Sequence, residues 1–156
     1  VRAPYAGVLT ERLVRVGDGS NLIDITHVEN AADAHLAAAD ALTDAGSAPA
    51  GHVYFISQGE PVNCWQWVDE LLSLAGLPPV KTSVTFRTAW RLGHALEVGC
   101  RLLRKQAEPP MTRFLAAQLA KSHYFDISKA RRDFGYSPRV STGEGMEGLR
   151  DVLRAV

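Results

Sequence analysis

The chain has 156 residues, 46% of them hydrophobic, and its 17 basic residues (Lys and Arg) balance 17 acidic ones (Asp and Glu). This composition excludes a disordered chain, and the zero net charge excludes a nucleic-acid partner recruited by an overall positive field. No apolar run approaches the roughly 18 residues of a membrane-spanning helix, and no signal peptide is recognisable. The two cysteines, Cys64 and Cys100, form no CxxC motif and have no metal ligands beside them. They predict free thiols in a reducing compartment and no metal site, with a single disulfide as the alternative.

The first elements are short strands around a glycine turn. A chain of this length can bury one core, so residues 1–156 are expected to form a single substrate-binding domain or fragment, with an irregular start at 1–12. Strands are predicted at Leu13–Val16 and Leu22–Ile25, on either side of a tight turn at Gly17–Gly19.

An alanine-rich helix is predicted after the second strand. Thr26 and Glu29 have the Thr-x-x-Glu spacing of a capping box, which predicts a helix from Val28 to about Ala45, ended by Gly46. Polar side chains cluster at this junction of strand and helix: Asp24, His27, Asn30, Asp33 and His35. Considered alone, they are typical of capping groups and of partly buried, hydrogen-bonded side chains.

An unbroken run of strand formers lies at Val53–Ile56. Such a run is typical of a strand that is buried on both faces, as in a parallel sheet covered by helices. The chain contains too few strand-to-helix passages to build that sheet. The isolated chain is therefore expected to dimerise, to exchange segments or to expose an apolar patch here.

The longest helical pattern is amphipathic. After a helix at Cys64–Ala75 capped by Asn63, the pattern at Phe86–Lys105 predicts a long helix. One side of this helix is apolar, and another side is basic. The apolar side consists of Ala89, Leu92, Gly93, Leu96, Cys100 and Leu103, and the basic side consists of Arg87, Arg91, His94 and Arg101. The basic side is either a solvated face over a core stripe or part of an amphipathic lid on a lipid-like substrate or a membrane surface.

The C-terminal third alternates short elements. We predict, in order, a helix at Met111–Lys121, a strand at His123–Asp126, a helix at Ile127–Phe134 and a last helix ending near Arg154. Asp126 is the expected cap of the third of these elements and Gly135 its end, and Ser141 with Glu144 forms a capping box for the last helix. Strands that alternate with helices predict an α/β or α+β class.

One glycine motif has the spacing of a nucleotide-binding loop but lacks the strand and the βαβ unit that such a loop belongs to. The Gly-x-Gly-x-x-Gly match at Gly143–Gly148 follows no convincing strand and lies too close to the C-terminus for a βαβ unit. Glu144 and Glu147 would also repel a pyrophosphate. We interpret this motif as the start of a helix.

Two blocks and the run between them resemble part of a known enzyme class. The first block runs from Val16 to His35 and contains Asp-Ile-Thr-His-Val-Glu-Asn, and Gly51–Gly59 contains Gly-x-x-Tyr-x-Ile-Ser. The second block consists of Pro109–Phe114, His123–Ala130 and Phe134–Pro138. Together they resemble the C-terminal, substrate-binding half of extended short-chain dehydrogenases, closest to the 3β-hydroxysteroid dehydrogenase branch.

The resemblance implies an α/β fold, the C-terminal part of a Rossmann-type short-chain dehydrogenase, mostly helical with a few short strands and without the N-terminal Rossmann core. The chain is therefore expected to be a fragment, in keeping with its start at Val1. The resemblance also implies that the parent protein binds NAD or NADP and uses a Tyr-x-x-x-Lys pair. None of the 4 tyrosines here is followed by lysine four residues later. No catalytic residue and no cofactor are expected for the chain alone.

The resemblance further implies oxidation of a secondary alcohol or reduction of a ketone on an apolar substrate, such as a sterol or a long-chain 3-oxo acid. The junction of strand and helix would face the cleft in such a fold, so Asp24, His27 and Asn30 become candidates for contact with cofactor or substrate. The matching candidates on the amphipathic helix are Leu92, Leu96 and Leu103.

Two alternatives remain open. Nucleotide-sugar epimerases and dehydratases of the same superfamily carry an arginine where this chain has Ile23, and an Arg-x-Gly-Asp segment where it has the amphipathic stretch 86–121. Both differences remove anion-binding groups and favour an apolar substrate. The other alternative is a lipid-binding or interaction module without catalysis. Expected partners are the apolar substrate, the missing Rossmann segment and a second copy in a homodimer. The expected location is the cytoplasm, with peripheral membrane contact left open.

Overall fold

The computed structural model describes residues 13–42, 48–104 and 109–155. This part of the chain contains four two-residue strands and six helices. The strands are β1 (Arg15–Val16), β2 (Leu22–Ile23), β3 (Val62–Asn63) and β4 (Ser83–Val84). The helices are α1 (Val28–Ala41), α2 (Cys64–Leu74), α3 (Phe86–Leu102), α4 (Arg113–Ala120), α5 (Ser128–Phe134) and α6 (Thr142–Ala155). The predicted class, a mostly helical α/β chain with a few short strands, is confirmed. The predicted irregular start at 1–12 and the helix-ending Gly46 lie outside the described residues.

Two pairs of strands form the sheets. β1 is parallel to β4, with Arg15 opposite Ser83 and Val16 opposite Val84, and β2 pairs with β3. The turn after β1 is confirmed, because Gly17 and Gly19 have φ angles of 88° and 80°, a region that glycine enters without steric cost.

The chain forms two compact units. The described residues of the first unit are 13–22, 63–104 and 109–123, and those of the second are 23–42, 48–62 and 124–155. Each unit has its own core. Val16, Ala89 and Ala116 are buried at the centre of the first, and Ala34, Ile127, Ala130 and Tyr136 at the centre of the second.

Small residues allow α3 and α4 of the first unit to pack closely. A Cβ atom at Gly93 would lie 2.7 Å from the carbonyl carbon of Thr112 and 2.8 Å from the amide nitrogen of Arg113. Glu97, one turn further along α3, accepts hydrogen bonds from both the main-chain nitrogen and the guanidinium of Arg113, each 2.7 Å long. These donors hold the pKa of Glu97 below its usual value, the main-chain hydrogen bond most strongly.

The predicted buried strand at Val53–Ile56 is wrong. No residue of this run belongs to a strand in the described part of the chain. Side chains alternate instead, with Val53 87% and Phe55 56% exposed, while Tyr54 and Ile56 pack on the second core. The reason is that the described residues place no strand beside this run, so only one of its faces is covered.

The capping box predicted from Thr26 is also wrong. The helix starts at Val28, so His27 is its N-cap, and His27 Nδ1 accepts a hydrogen bond from the Glu29 amide. The Thr26 hydroxyl donates instead to the carbonyl of Ile56 at 3.4 Å. The other predicted capping box is confirmed, since Ser141 and Glu144 exchange hydrogen bonds at 2.8 Å and 3.2 Å.

The strand predicted at His123–Asp126 is reduced to one bridging residue. The His123 amide donates to the carbonyl of Leu22 at 2.9 Å, and residues 124–127 have no regular structure. Asp126 accepts from the Ser128 amide at 2.8 Å, next to the start of α5. Gly135 ends α5 with a φ of 68°, as predicted.

The sides of α3 are partly as predicted. Arg87, Arg91, His94 and Arg101 are exposed. The predicted apolar stripe does not form one buried surface, because Leu92 and Leu103 are 53% and 70% exposed whereas Ala89 is 2% exposed. The helix therefore packs through its small residues. Both cysteines are free thiols, and none of the helices in the described ranges is long and apolar enough to span a membrane.

Replacing Gly93 with alanine should destabilise the chain by about 1–3 kcal/mol, because the new methyl group meets the fixed main chain of α4 rather than a movable side chain. Gly99→Ala is the matched control on the same helix, since nothing lies within 4 Å of a Cβ atom there. That change should stabilise the chain by up to about 1 kcal/mol through helix propensity. Urea unfolding curves of the two variants measure the difference, and equal midpoints would contradict this close packing.

Candidate functional site

Asn30 lies at the junction of β2 and α1 and is fully buried. Its side-chain oxygen accepts hydrogen bonds from the amides of Arg139 and Val140 at 2.9 Å and 3.0 Å. Its side-chain nitrogen donates to the carbonyl of Val140 at 2.7 Å. These hydrogen bonds use both the oxygen and the nitrogen of the side-chain amide. Asn30 therefore joins α1 to residues 139–140 within the second unit.

His27 joins the starts of two helices in the same unit. Its main-chain nitrogen donates to the side-chain oxygen of Gln58 at 2.6 Å, and the Gln58 amide donates to the Thr142 hydroxyl at 3.0 Å. The imidazole lies against α6, where its Cδ2 atom is 3.1 Å from the position of a Cβ atom at Gly145. Gly145 belongs to the Gly-x-Gly-x-x-Gly motif, so this glycine serves close packing against the ring.

Among the described residues, one of the two carboxylate oxygens of Asp24 has a hydrogen-bond partner and the other has none. Its Oδ2 atom accepts from the Phe125 amide at 2.8 Å, whereas its buried Oδ1 atom has no hydrogen-bond partner among the described residues. Buried carboxylate oxygens in folded proteins usually have a hydrogen-bond partner. This oxygen is therefore free to accept a hydrogen bond from a further donor. Of the three junction candidates, Asp24 alone keeps an unused acceptor in the described structure.

The remaining predicted site residues lie in the first unit. Leu96 is half-buried on α3, and Leu92 on α3 and Leu103 just after its end are exposed. The three polar candidates belong to the second unit. Asp24, His27 and Asn30 therefore lie along the segment from the end of β2 into α1, and the three leucines lie along α3 and at its C-cap.

A cavity that sequence reasoning missed lies in the first unit. It has a volume of about 640 Å³ and is formed where the parallel strands β1 and β4 end and α3 begins. Its lining consists of Gly17, Asp18, Ser83, Val84, Thr85, Phe86, Arg87, Ala120 and Lys121. In open parallel sheets, ligands bind outside the carboxyl ends of the strands, and ligand pockets of this volume are common. We take this cavity, the strand-end cavity, as the candidate functional site.

Charged groups stand beside apolar walls in the strand-end cavity. Lys121 Nζ lies 5.2 Å from the centre of the Phe86 ring, and Arg87 is exposed. The Asp18 carboxylate accepts from the amide and hydroxyl of Ser20 at 3.0 Å and 2.7 Å. These hydrogen bonds, the amide's first, hold the pKa of Asp18 below its usual value, so it is ionised at neutral pH. The cavity therefore combines an apolar surface from Val84, Phe86 and Ala120 with two cations and one anion.

The glycine motif at Gly143–Gly148 does not fit a dinucleotide cofactor. In the dinucleotide-binding fold, this motif forms the turn between a strand and a helix. The motif at Gly143–Gly148 lies inside α6 instead, and Gly145 is closed off by the His27 ring. In the described ranges there is also no group of three or more side chains that could hold a metal ion.

Comparison with known proteins places the sequence in a family. Residues 6–86 match the model of the 3-beta hydroxysteroid dehydrogenase/isomerase family. The chain is 49% identical over 139 residues to a 2-alkyl-3-oxoalkanoate reductase of Stenotrophomonas maltophilia, covering 89% of this chain and 42% of the relative. A sterol-4-alpha-carboxylate 3-dehydrogenase of Schizosaccharomyces pombe is 35% identical, with 85% of this chain and 38% of that protein covered. The chain thus spans less than half the length of these relatives.

The fold has solved counterparts. A crystal structure of UDP-glucuronic acid 4-epimerase from Bacillus cereus in complex with NAD superimposes with a TM-score of 0.57, covering 99% of this chain and 38% of that one. The sequences are 19% identical, so this likeness shows a shared fold.

Replacing Asn30 with alanine should destabilise the second unit, because the amides of Arg139 and Val140 would lose their acceptor. Each buried group left unpaired costs about 1–3 kcal/mol. Asp33→Ala is the control on the same helix, since Asp33 pairs with the largely exposed guanidinium of Arg139, and such pairs contribute about 0–1 kcal/mol. Denaturant unfolding of both variants tests the prediction, and a smaller loss for Asn30→Ala than for Asp33→Ala would refute it.

Proposed function

Because the chain belongs to the 3-beta hydroxysteroid dehydrogenase/isomerase family, we propose that it forms the substrate-binding part of an NAD(P)-dependent oxidoreductase. The proposed reaction interconverts a secondary alcohol and a ketone on an apolar substrate, a long-chain 3-oxo acid or a sterol. In this proposal the chain supplies no catalytic residue, because it has no Tyr-x-x-x-Lys pair and its glycine motif lies inside a helix. The hydride chemistry belongs to the rest of the polypeptide.

The strand-end cavity is the observation that carries the proposal. Its apolar wall at Val84, Phe86 and Ala120 can take alkyl groups out of water, and each buried methylene contributes about 0.8 kcal/mol. Lys121 and Arg87 can pair with a carboxylate at the same cavity. A long-chain 3-oxo acid has both an alkyl part and a carboxylate. The similarity to 2-alkyl-3-oxoalkanoate reductases supports this substrate class over an uncharged sterol.

The solved epimerase suggests a second candidate, a nucleotide-sugar enzyme, but the residues favour it less. Epimerases of this superfamily hold a diphosphate with an arginine at the position of Ile23, and Ile23 offers no charge. The exposed Leu92 of α3 and Leu103 at its C-cap add apolar surface. With the half-buried Leu96, they are proposed to contact the apolar substrate or to cover it as a lid.

The chain alone should not bind NADH at micromolar concentrations. The reason is that the one Gly-x-Gly-x-x-Gly motif of the sequence lies inside α6 and not between a strand and a helix, where it could bind the pyrophosphate. Fluorescence titration of NADH with the pure 156-residue chain measures this, and the complete reductase polypeptide serves as the positive control. Enhanced NADH fluorescence with the chain alone would show that it carries its own cofactor site.

Lys121→Ala in the complete reductase should raise KM for a 2-alkyl-3-oxo acid about tenfold, equal to about 1.4 kcal/mol of lost pairing with the carboxylate. KM for the methyl ester of the same acid should stay unchanged, because the ester carries no charge. Lys81→Ala is the matched control, since Lys81 is an exposed lysine just before β4 and does not line the cavity. Equal changes for acid and ester would remove the carboxylate role of Lys121.

A further inference from the structure

The second unit contains a small polar cavity of its own. It has a volume of about 300 Å³, and the residues that line it come from the loop at 58–60, from α5 and from the segment 137–141 that leads into α6. All of these segments belong to the second unit. Two arginines, Arg131 and Arg139, are part of the lining, and we call this space the arginine cavity. Its volume is at the lower end of the range for ligand pockets.

Arg131 is an exposed cation that lies against the main chain of the loop. A Cβ atom at Gly59 would be 3.1 Å from Arg131 Nη2 and 2.9 Å from Ile127 Cδ1. Gly59 has a φ of 67°, so glycine both permits this turn of the loop and leaves room for the guanidinium beside it. In the described part of the chain, the guanidinium of Arg131 has no hydrogen bond and no ion pair. Its N–H donors are therefore available to a ligand.

The other two charged groups of the lining already have partners within the protein. Arg139 Nε donates to the Asp33 carboxylate at 2.6 Å. Glu60 accepts from the amide and the hydroxyl of Thr142 at 3.2 Å and 3.3 Å, so its carboxylate is used at the start of α6. Two arginines and one glutamate line the cavity, which leaves one positive charge in excess. That excess favours an anionic ligand.

We propose that the arginine cavity binds the phosphate group of a small phosphate ester, with Arg131 as its principal contact. A guanidinium presents its donors in a planar fork that matches two oxygens of a phosphate group. A phosphate monoester has three acceptor oxygens, one more than a carboxylate. The hydroxyl of Ser137 also lines the cavity, has no hydrogen bond among the described residues and can donate to the third oxygen. The strand-end cavity belongs to the first unit, so this site does not depend on the proposed substrate.

Calorimetric titration of the complete reductase polypeptide with glycerol 3-phosphate, at constant ionic strength, tests the proposal. Arg131→Gln should weaken the binding about tenfold, because it removes the charge and the planar fork. Arg132→Gln is the matched control, since Arg132 is an exposed arginine of the same helix that pairs with Asp133 and does not line the cavity. That change should alter the affinity by no more than about twofold. Equal losses in the two variants, or no loss for Arg131→Gln, would overturn the proposal.

Two further probes identify the chemistry that the cavity recognises. Inorganic phosphate should bind with the same sensitivity to Arg131→Gln as the ester, because the shared phosphate group makes the contact. Binding of inorganic phosphate without binding of glycerol 3-phosphate would overturn the assignment to an ester. Acetate bound as tightly as either phosphate compound would overturn the preference for phosphate over carboxylate. These titrations need no substrate and no turnover, so their outcome is separate from that of the KM test for Lys121.

Discussion

The second unit depends on one buried amide. Asn30 is fully buried and connects α1 to the segment before α6, which lies 110 residues further along the chain. A buried amide has four hydrogen-bonding positions and is costly to leave unpaired, so this contact allows little variation in where the segment lies. The position of α6 follows from it, and with that position come the contacts of His27 with Gly145 and of Gln58 with Thr142.

The first unit depends on close packing through small residues. Gly93 and Ala89 of α3 are buried, and a side chain at Gly93 would collide with the main chain of α4. Larger side chains of α3, such as Leu92, are exposed instead. The strand-end cavity lies at the start of the same helix, so its apolar wall at Phe86 is held by the packing of α3.

The family assignment and the physical features of the two units are both consistent with the proposed substrate-binding role of this chain. The family model covers residues 6–86, and the relatives are more than twice as long as the matched region. The described residues offer an apolar cavity with charged groups at its lining, and their glycine motif lies inside α6. Substrate binding within a larger oxidoreductase is the role that we propose from these features.

The sequence by itself determined the class, the family resemblance and most helix starts and ends. The capping residues Asn63 and Ser141 and the terminating Gly135 act within a few residues, so their local chemistry was sufficient. Only the tertiary structure decided which polar side chains are engaged in hydrogen bonds and where a cavity lies. Asn30 is engaged by residues far along the chain, and Val53–Ile56 lacks a partner strand in the described part. The strand-end cavity is built by three separate segments, and such distant contacts leave no periodic pattern in a sequence.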